Sequence, residues 1–137
     1  MDSKQVEEGL QFMPKFNTEG LIPAIAQDAG TGQILMFAWM NREALDRTIQ
    51  TGRATYFSRS RGKLWFKGEQ SGHFQTVKQI LVDCDQDCLI LKVTVEEGQC
   101  HVGYKSCFYR ALKPASNTGL ELIAQKVYDP AATYKKP

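Results

Sequence analysis

The chain has no run of some 18 uncharged apolar residues, the length a helix needs to cross a bilayer, so no membrane-spanning helix is expected. Its first twelve residues, MDSKQVEEGLQF, are polar and acidic and lack the apolar core of a secretory signal. That absence predicts a cytoplasmic protein. No internal repeat, low-complexity tract or linker divides the 137 residues, which suit one domain and suffice to bury a core without disulfides. The net charge of +2 is too small to argue for a nucleic-acid partner. Cysteine is sparse as well, and four thiols in a cytoplasmic chain favour the reduced state over a disulfide framework.

What is present is unevenly placed. Residues 53–67, RATYFSRSRGKLWFK, hold Arg53, Arg59, Arg61, Lys63 and Lys67 with no acid among them. This excess is either a solvated basic hairpin or a receptor for an anion, most economically phosphate. Cys84, Cys88, Cys100 and Cys107 all fall in one stretch of the second half, where a metal site would be sought.

The hydrophobic pattern predicts an α+β domain with a mostly antiparallel sheet and one or two helices. A short helix and irregular chain open the sequence. Two apolar runs around Asp28-Ala29-Gly30-Thr31-Gly32 read as a central β-hairpin. Asn41 caps a helix that stops at Gly52, with Ala44, Leu45, Thr48 and Ile49 on its buried face. ATYFSRS and KLWFKG read as strands about a turn at Arg61-Gly62, and FQTVKQILVDCD and CLILKVTVEE as longer strands. CFYRAL is expected as a last core strand, and 113–137 as a peripheral tail with one apolar patch, Leu120–Val127.

The six residues DCDQDC (83–88) mix hard oxygen donors with soft sulfur donors. An EF-hand is excluded, because its sixth and twelfth positions would be Cys88 and Thr94 rather than Gly and Glu. On an extended strand, Asp83, Asp85 and Asp87 share one face, and Cys84, Gln86 and Cys88 the other. Cys84 and Cys88 would then stand roughly 13 Å apart, too far for one zinc, whose sulfurs lie within about 4 Å of each other. Cys84 with Cys100 and Cys107 is the better set, leaving an open fourth position; a closed structural Cys₄ site is the rival. Cys88 reads as packing. His101 is either a proton-transfer group or the fourth ligand, while His73 and Glu69 are further acid–base candidates.

Three blocks in series, WFKGEQSGHFQ (65–75), DCDQD (83–87) and CHVGYKSCFYR (100–110), resemble phosphoribosyl-AMP cyclohydrolase, the ring-opening hydrolase of histidine biosynthesis. The resemblance runs upstream through GQILMFAWMNREAL and GRATYFSRSRGKLW and covers about residues 20–112. It implies hydrolysis of the N1–C6 bond of a doubly phosphorylated adenine nucleotide by zinc-activated water, with Mg²⁺ assisting substrate binding. It implies an intertwined homodimer in which Cys84 of one subunit joins Cys100 and Cys107 of the other on Zn²⁺. Asp83, Asp85 and Asp87 would hold Mg²⁺. His101 would transfer protons, with His73 and Glu69 behind it. Arg59, Arg61, Lys67 and Arg110 would meet phosphates, Trp65 the base, and Gly68, Ser71, Gly72 and Gln75 the remaining substrate. Neither a nucleic-acid nor a membrane partner is implied.

Overall fold

The computed structural model describes residues 2–95 and 98–133. Helix α1 (Ser3–Glu8) is capped by Asp2, whose carboxylate accepts the Gln5 N–H at 2.9 Å. The hairpin follows as β1 (Ile22–Asp28) and β2 (Ile34–Met40), paired antiparallel from Ile22↔Met40 to Gln27↔Ile34. Helix α2 (Arg42–Thr51) starts where the Asn41 side chain accepts the Ala44 N–H and ends at Gly52, whose φ of +72° is left-handed. Strands β3 (Thr55–Ser58) and β4 (Lys63–Phe66) flank a turn at Gly62.

β5 (Thr76–Val82) and β6 (Leu89–Thr94) complete a six-stranded sheet of order β4-β3-β2-β1-β6-β5. Every pairing is antiparallel except β1–β6, which is parallel. The hairpin thus lies at the centre, as its two-sided apolar composition requires. Ile22, Ala24 and Ala26 alternate into the core with Leu89, Leu91 and Val93, and Met40, Ala44, Leu45 and Tyr56 close it from the α2 side. Among the described residues no helix is long and apolar enough to cross a membrane.

Four local expectations give way. Ile49 is 53% exposed, so the buried face of α2 is the narrower Ala44, Leu45 and Thr48. Thr48 takes the remaining contact by bonding the Thr55 backbone through its hydroxyl at 2.9 and 3.1 Å. FQTVKQILVDCD is a strand only as far as Val82. Residues 83–88 form a turn, because Asp83 Oδ1 accepts the N–H groups of Asp87 and Cys88 and Gln86 adopts φ +58°. The strand-parity argument for DCDQDC therefore does not apply.

CFYRAL, third, is not a core strand. The six-stranded sheet ends its sixth strand at Thr94, and β7 (Arg110–Leu112) pairs only with β8 (Leu120–Leu122) in a separate ribbon. Leu112, Leu120 and Leu122 of that ribbon face solvent. Finally, part of the tail is not peripheral: residues 126–130, leading into α3 (Pro130–Thr133), pack on the loop that carries Cys100. Glu96 and Glu97, at the end of the expected CLILKVTVEE strand, lie outside the described residues, as do residues 134–137.

Candidate active-site cleft

After β4 the chain makes two tight reversals. Gly68 sits at φ +99°, and a Cβ there would stand 2.7 Å from the Phe74 nitrogen, so only glycine fits. The Gly72 N–H then closes the loop on the Gly68 carbonyl at 2.8 Å. Residues 68–71 of this loop form one wall of a cavity of about 270 Å³. Gln99, His101, Cys107, Arg61, Trp65 and Lys67 line the same cavity. Eight of the residues singled out from the sequence share this cleft, among them Glu69, Gly68 and Ser71.

Lys67 is almost fully buried at its floor, with Nζ donating to the Gln99 carbonyl at 3.1 Å and lying 5.8 Å from the centre of the Trp65 ring. Burial lowers its pKa, opposed by the nearby thiols of Cys107 and Cys100. Those two thiols are hydrogen-bonded neighbours. Desolvation and the adjacent Cys100 push the Cys107 thiol up to about 12. The Cys107 thiol therefore resists ionising alone, whereas a bound divalent cation deprotonates a coordinating thiol outright.

The loop bearing Cys100 is tied down on several sides. The Cys100 N–H bonds the Tyr104 carbonyl at 3.0 Å, the Ser106 hydroxyl donates to the Ile34 carbonyl at 2.7 Å, and the Cys107 N–H reaches Leu35 O at 2.7 Å. Lys105 pairs with Asp28 at 2.7 Å, and its hydrogen bond is the main reason the Asp28 carboxyl is held low.

Other expected site residues stand elsewhere. His73 is buried on the far side of the 68–74 loop, edge-on to Tyr128 at 4.7 Å between ring centres. With Gly72 and Arg53 it borders a second cavity of about 490 Å³, and Ser71 lines both. Gln75 has no exposed surface; it accepts from the Tyr56 hydroxyl at 2.5 Å and donates to Gln99 Oε1 at 2.8 Å, beneath the cleft rather than in it. The guanidinium of Arg59 lies 4.8 Å over the Trp39 ring, and that of Arg110 lies 5.0 Å over Tyr109.

Asp83, Asp85 and Asp87 do converge, with carboxylate oxygens within 4.8 Å of one another. The turn, not strand parity, brings them together. Hydrogen bonding to Asp85 and then Asp83 raises Asp87 to about 6, and the same contact with Asp87 lowers Asp85. Such a set of oxygen donors suits a hard divalent cation. Gln86, in the same turn, is buried and tethers the N-terminal arm: its side chain accepts the Met13 N–H at 2.6 Å and donates to the carbonyls of Val6 and Gln11. Its own carbonyl accepts the Lys15 N–H at 2.7 Å.

Among the described residues, no other three acid, thiol or imidazole groups come that close. Cys84 therefore does not join Cys100 and Cys107 within one chain. It borders a groove against Leu10, Phe12, Ile49, Ile80 and Val82. Burial raises the pKa of Cys88, which stays a partly buried thiol directed at the Leu89 carbonyl.

Gln99, Tyr56 and Tyr128 were not anticipated. Tyr56 lies inside the quoted ATYFSRS strand and Gln99 directly before the CHVGYKSCFYR block, and their buried phenol and amide are polar groups that a core must satisfy. Gly98 and Gly103 signal Tyr128: they flank the thiol and leave room for an approaching chain.

The fold and cleft define a small α+β protein whose basic, imidazole and carboxylate groups gather beside a thiol pair, the furnishing of a hydrolase. The sequence model of phosphoribosyl-AMP cyclohydrolase matches residues 36–109. The chain is 57% identical over 120 residues to phosphoribosyl-AMP cyclohydrolase of Methanococcoides burtonii, covering 88% of this chain and 94% of that one. It is 55% identical over 125 residues to that of Methanothermobacter thermautotrophicus (91% and 90% covered). With that of Chlorobium limicola it shares 47% over 135 residues (98% and 97% covered). The chain belongs to the phosphoribosyl-AMP cyclohydrolase family.

Proposed function

We propose that this protein adds water to C6 of an adenine nucleotide bearing a second ribose 5-phosphate on N1, then opens the N1–C6 bond. The product is the formimino-carboxamide ribonucleotide of histidine biosynthesis, and the setting is cytoplasmic. The reading is supported by the convergence of Lys67, Gly68, Glu69, Ser71, His101 and Cys107 on one cleft, in a chain whose relatives carry that name.

The donor chemistry fits two metals. Cys100 and Cys107 are adjacent soft donors suited to Zn²⁺, and the three aspartates are clustered hard donors suited to Mg²⁺. When bound, zinc supplies the Lewis acid that activates water, and magnesium offsets phosphate charge. Cys84 of a second copy completes the sulfur set in a homodimer, since Cys84 does not reach the pair within its own chain.

Alkylation at N1 leaves C6 electrophilic, and the side chains of the cleft handle the protons. His101 takes a proton from the attacking water; as the N1–C6 bond breaks, N1 gains a proton and the hydroxyl left on C6 gives up its own, so that C6 becomes the carboxamide carbonyl. Glu69, on the same cleft, assists that transfer, with His73 supporting the loop from behind. Trp65 stacks on the base; Gly68, Ser71 and Gly72 shape the loop around it; and Gln75 holds the wall from beneath. Arg61 and Lys67 from within the cleft, and Arg59 and Arg110 from outside its lining on Trp39 and Tyr109, are the cations offered to the two phosphates, which guanidinium forks suit well.

The test is product formation from phosphoribosyl-AMP followed by absorbance, before and after chelation. Turnover that chelation abolishes and zinc restores is expected. A metal-replete protein that forms no product would sink the proposal.

A further inference from the structure

Beyond the matched segment 36–109, the chain returns to the cleft from behind. The Tyr104 and Lys126 backbones form an antiparallel bridge, and the N–H groups of Val127 and Tyr128 both point at the Gly103 carbonyl, at 2.7 and 3.3 Å. The approach is close enough to dictate glycines. A Cβ on Gly98 would stand 2.8 Å from the Tyr128 ring, and one on Gly103 would stand 2.7 Å from the Tyr128 carbonyl.

At the end of this strap the Tyr128 hydroxyl and ring each make a contact. Its hydroxyl donates to the Cys100 carbonyl, the same oxygen that accepts the Gly103 N–H at 3.0 Å. Its ring meets the His73 imidazole edge-on, with planes at 87°. One side chain therefore touches both loops that contribute to the cleft: that of Cys100 and His101, and that which runs from Gly68 to His73.

We infer that Tyr128 is a positioning residue that sets the Cys100–His101 loop against the 68–73 loop, so that the thiol pair and the acid–base groups keep one spacing. This rests on the metal-assisted hydrolase reading above. Tyr128 does not line the cleft, so its loss acts through the loops and not through contact with substrate. Groups that orient metal-binding residues in this way typically govern metal affinity by about 10- to 100-fold.

Tyr128→Phe keeps the ring on His73 and Gly98 and removes only the hydroxyl; Tyr128→Leu removes both contacts. Zinc affinity by chelator competition, kcat, KM and the thermal midpoint are measured for each. For Tyr128→Phe, zinc affinity is expected to fall about tenfold and kcat several-fold, with KM and the midpoint close to wild type. Tyr128→Leu is expected to lose more of both.

Wild-type zinc affinity and kcat in Tyr128→Phe would overturn the inference, as would a lowered midpoint with both values intact. If Tyr128→Leu fails to fold, the phenylalanine variant still decides. A wild-type protein that takes up no zinc would instead overturn the metal reading itself, so the two failures are distinguishable.

Discussion

Gln75→Leu tests the polar network beneath the cleft. Leucine roughly matches the volume of glutamine but neither accepts from the Tyr56 hydroxyl nor donates to Gln99. Tyr56 has no exposed surface, so water cannot replace the lost partner. An orphaned buried hydroxyl costs about 1–3 kcal/mol, and the broken bond to Gln99 adds about 1 kcal/mol. The sum, about 2–4 kcal/mol, corresponds to roughly 10 °C in thermal midpoint for a chain of this size. Urea unfolding at fixed protein and zinc concentrations measures it, because ligand and subunit binding also shift apparent stability. Adding Tyr56→Phe removes the orphan, so the double variant should be more stable than Gln75→Leu by about 1 kcal/mol or more. If Gln75→Leu lies within about 0.5 kcal/mol of wild type, or if the two losses simply add, the network is not what holds this floor.

Three further outcomes are expected. The Asp28 carboxyl is held low chiefly by its hydrogen bond to Lys105, so the pair stabilises the fold above the unfolded pKa of about 3.9 and stops doing so as pH falls through the lower folded value. Lys105→Met should therefore cost up to about 1 kcal/mol at pH 7 and nothing at strongly acid pH, and an equal cost at both would refute the pairing. Because Asp87 is raised to about 6, protons compete with a cation at the aspartate cluster below that pH. Mg²⁺ affinity by calorimetry should fall up to about tenfold per unit there, and Asp87→Asn should flatten the profile; a flat wild-type profile would exclude Asp87. Inactive Cys84→Ala and Cys107→Ala chains, unfolded and refolded together, should regain about a quarter of wild-type activity. Half the dimers are then mixed and each carries one intact site, and verified mixed dimers without activity would place the sulfur ligands within one chain.

Much of the fold was legible because local chemistry and burial agreed. Asn41 and Gly52 bracket α2 through a side-chain cap and a left-handed φ, both readable from residue type. The central hairpin announced itself by apolar residues on both faces. Ile49 misled because helical spacing cannot tell how wide the buried stripe is, and here the adjoining Thr48 is satisfied by β3 instead.

Part of the expected set shares one cleft, but its geometry was not legible in the sequence. The Asp83 side chain can bond the backbone four and five residues on, and that local bond ends β5 before any strand parity applies. The aspartates were correctly grouped for the wrong reason. Gln75 looked like a cleft residue because its neighbours are, but a two-residue step past His73 carries it below the floor. Tyr128 escaped notice because its role depends on a return of the tail across some two dozen residues, and such long-range contacts leave no periodic trace in sequence.

Gln86 gives the N-terminal arm a different meaning from that of a leading segment. Its left-handed backbone aims one amide at the carbonyls of Val6 and Gln11 and at the Met13 N–H, while its carbonyl takes the Lys15 N–H. The arm owes these hydrogen bonds to a single residue set among the three aspartates. The Met13 and Lys15 amides are thereby natural gauges of that turn: their hydrogen-exchange rates register how firmly it is closed, without an attached probe and without touching a carboxylate.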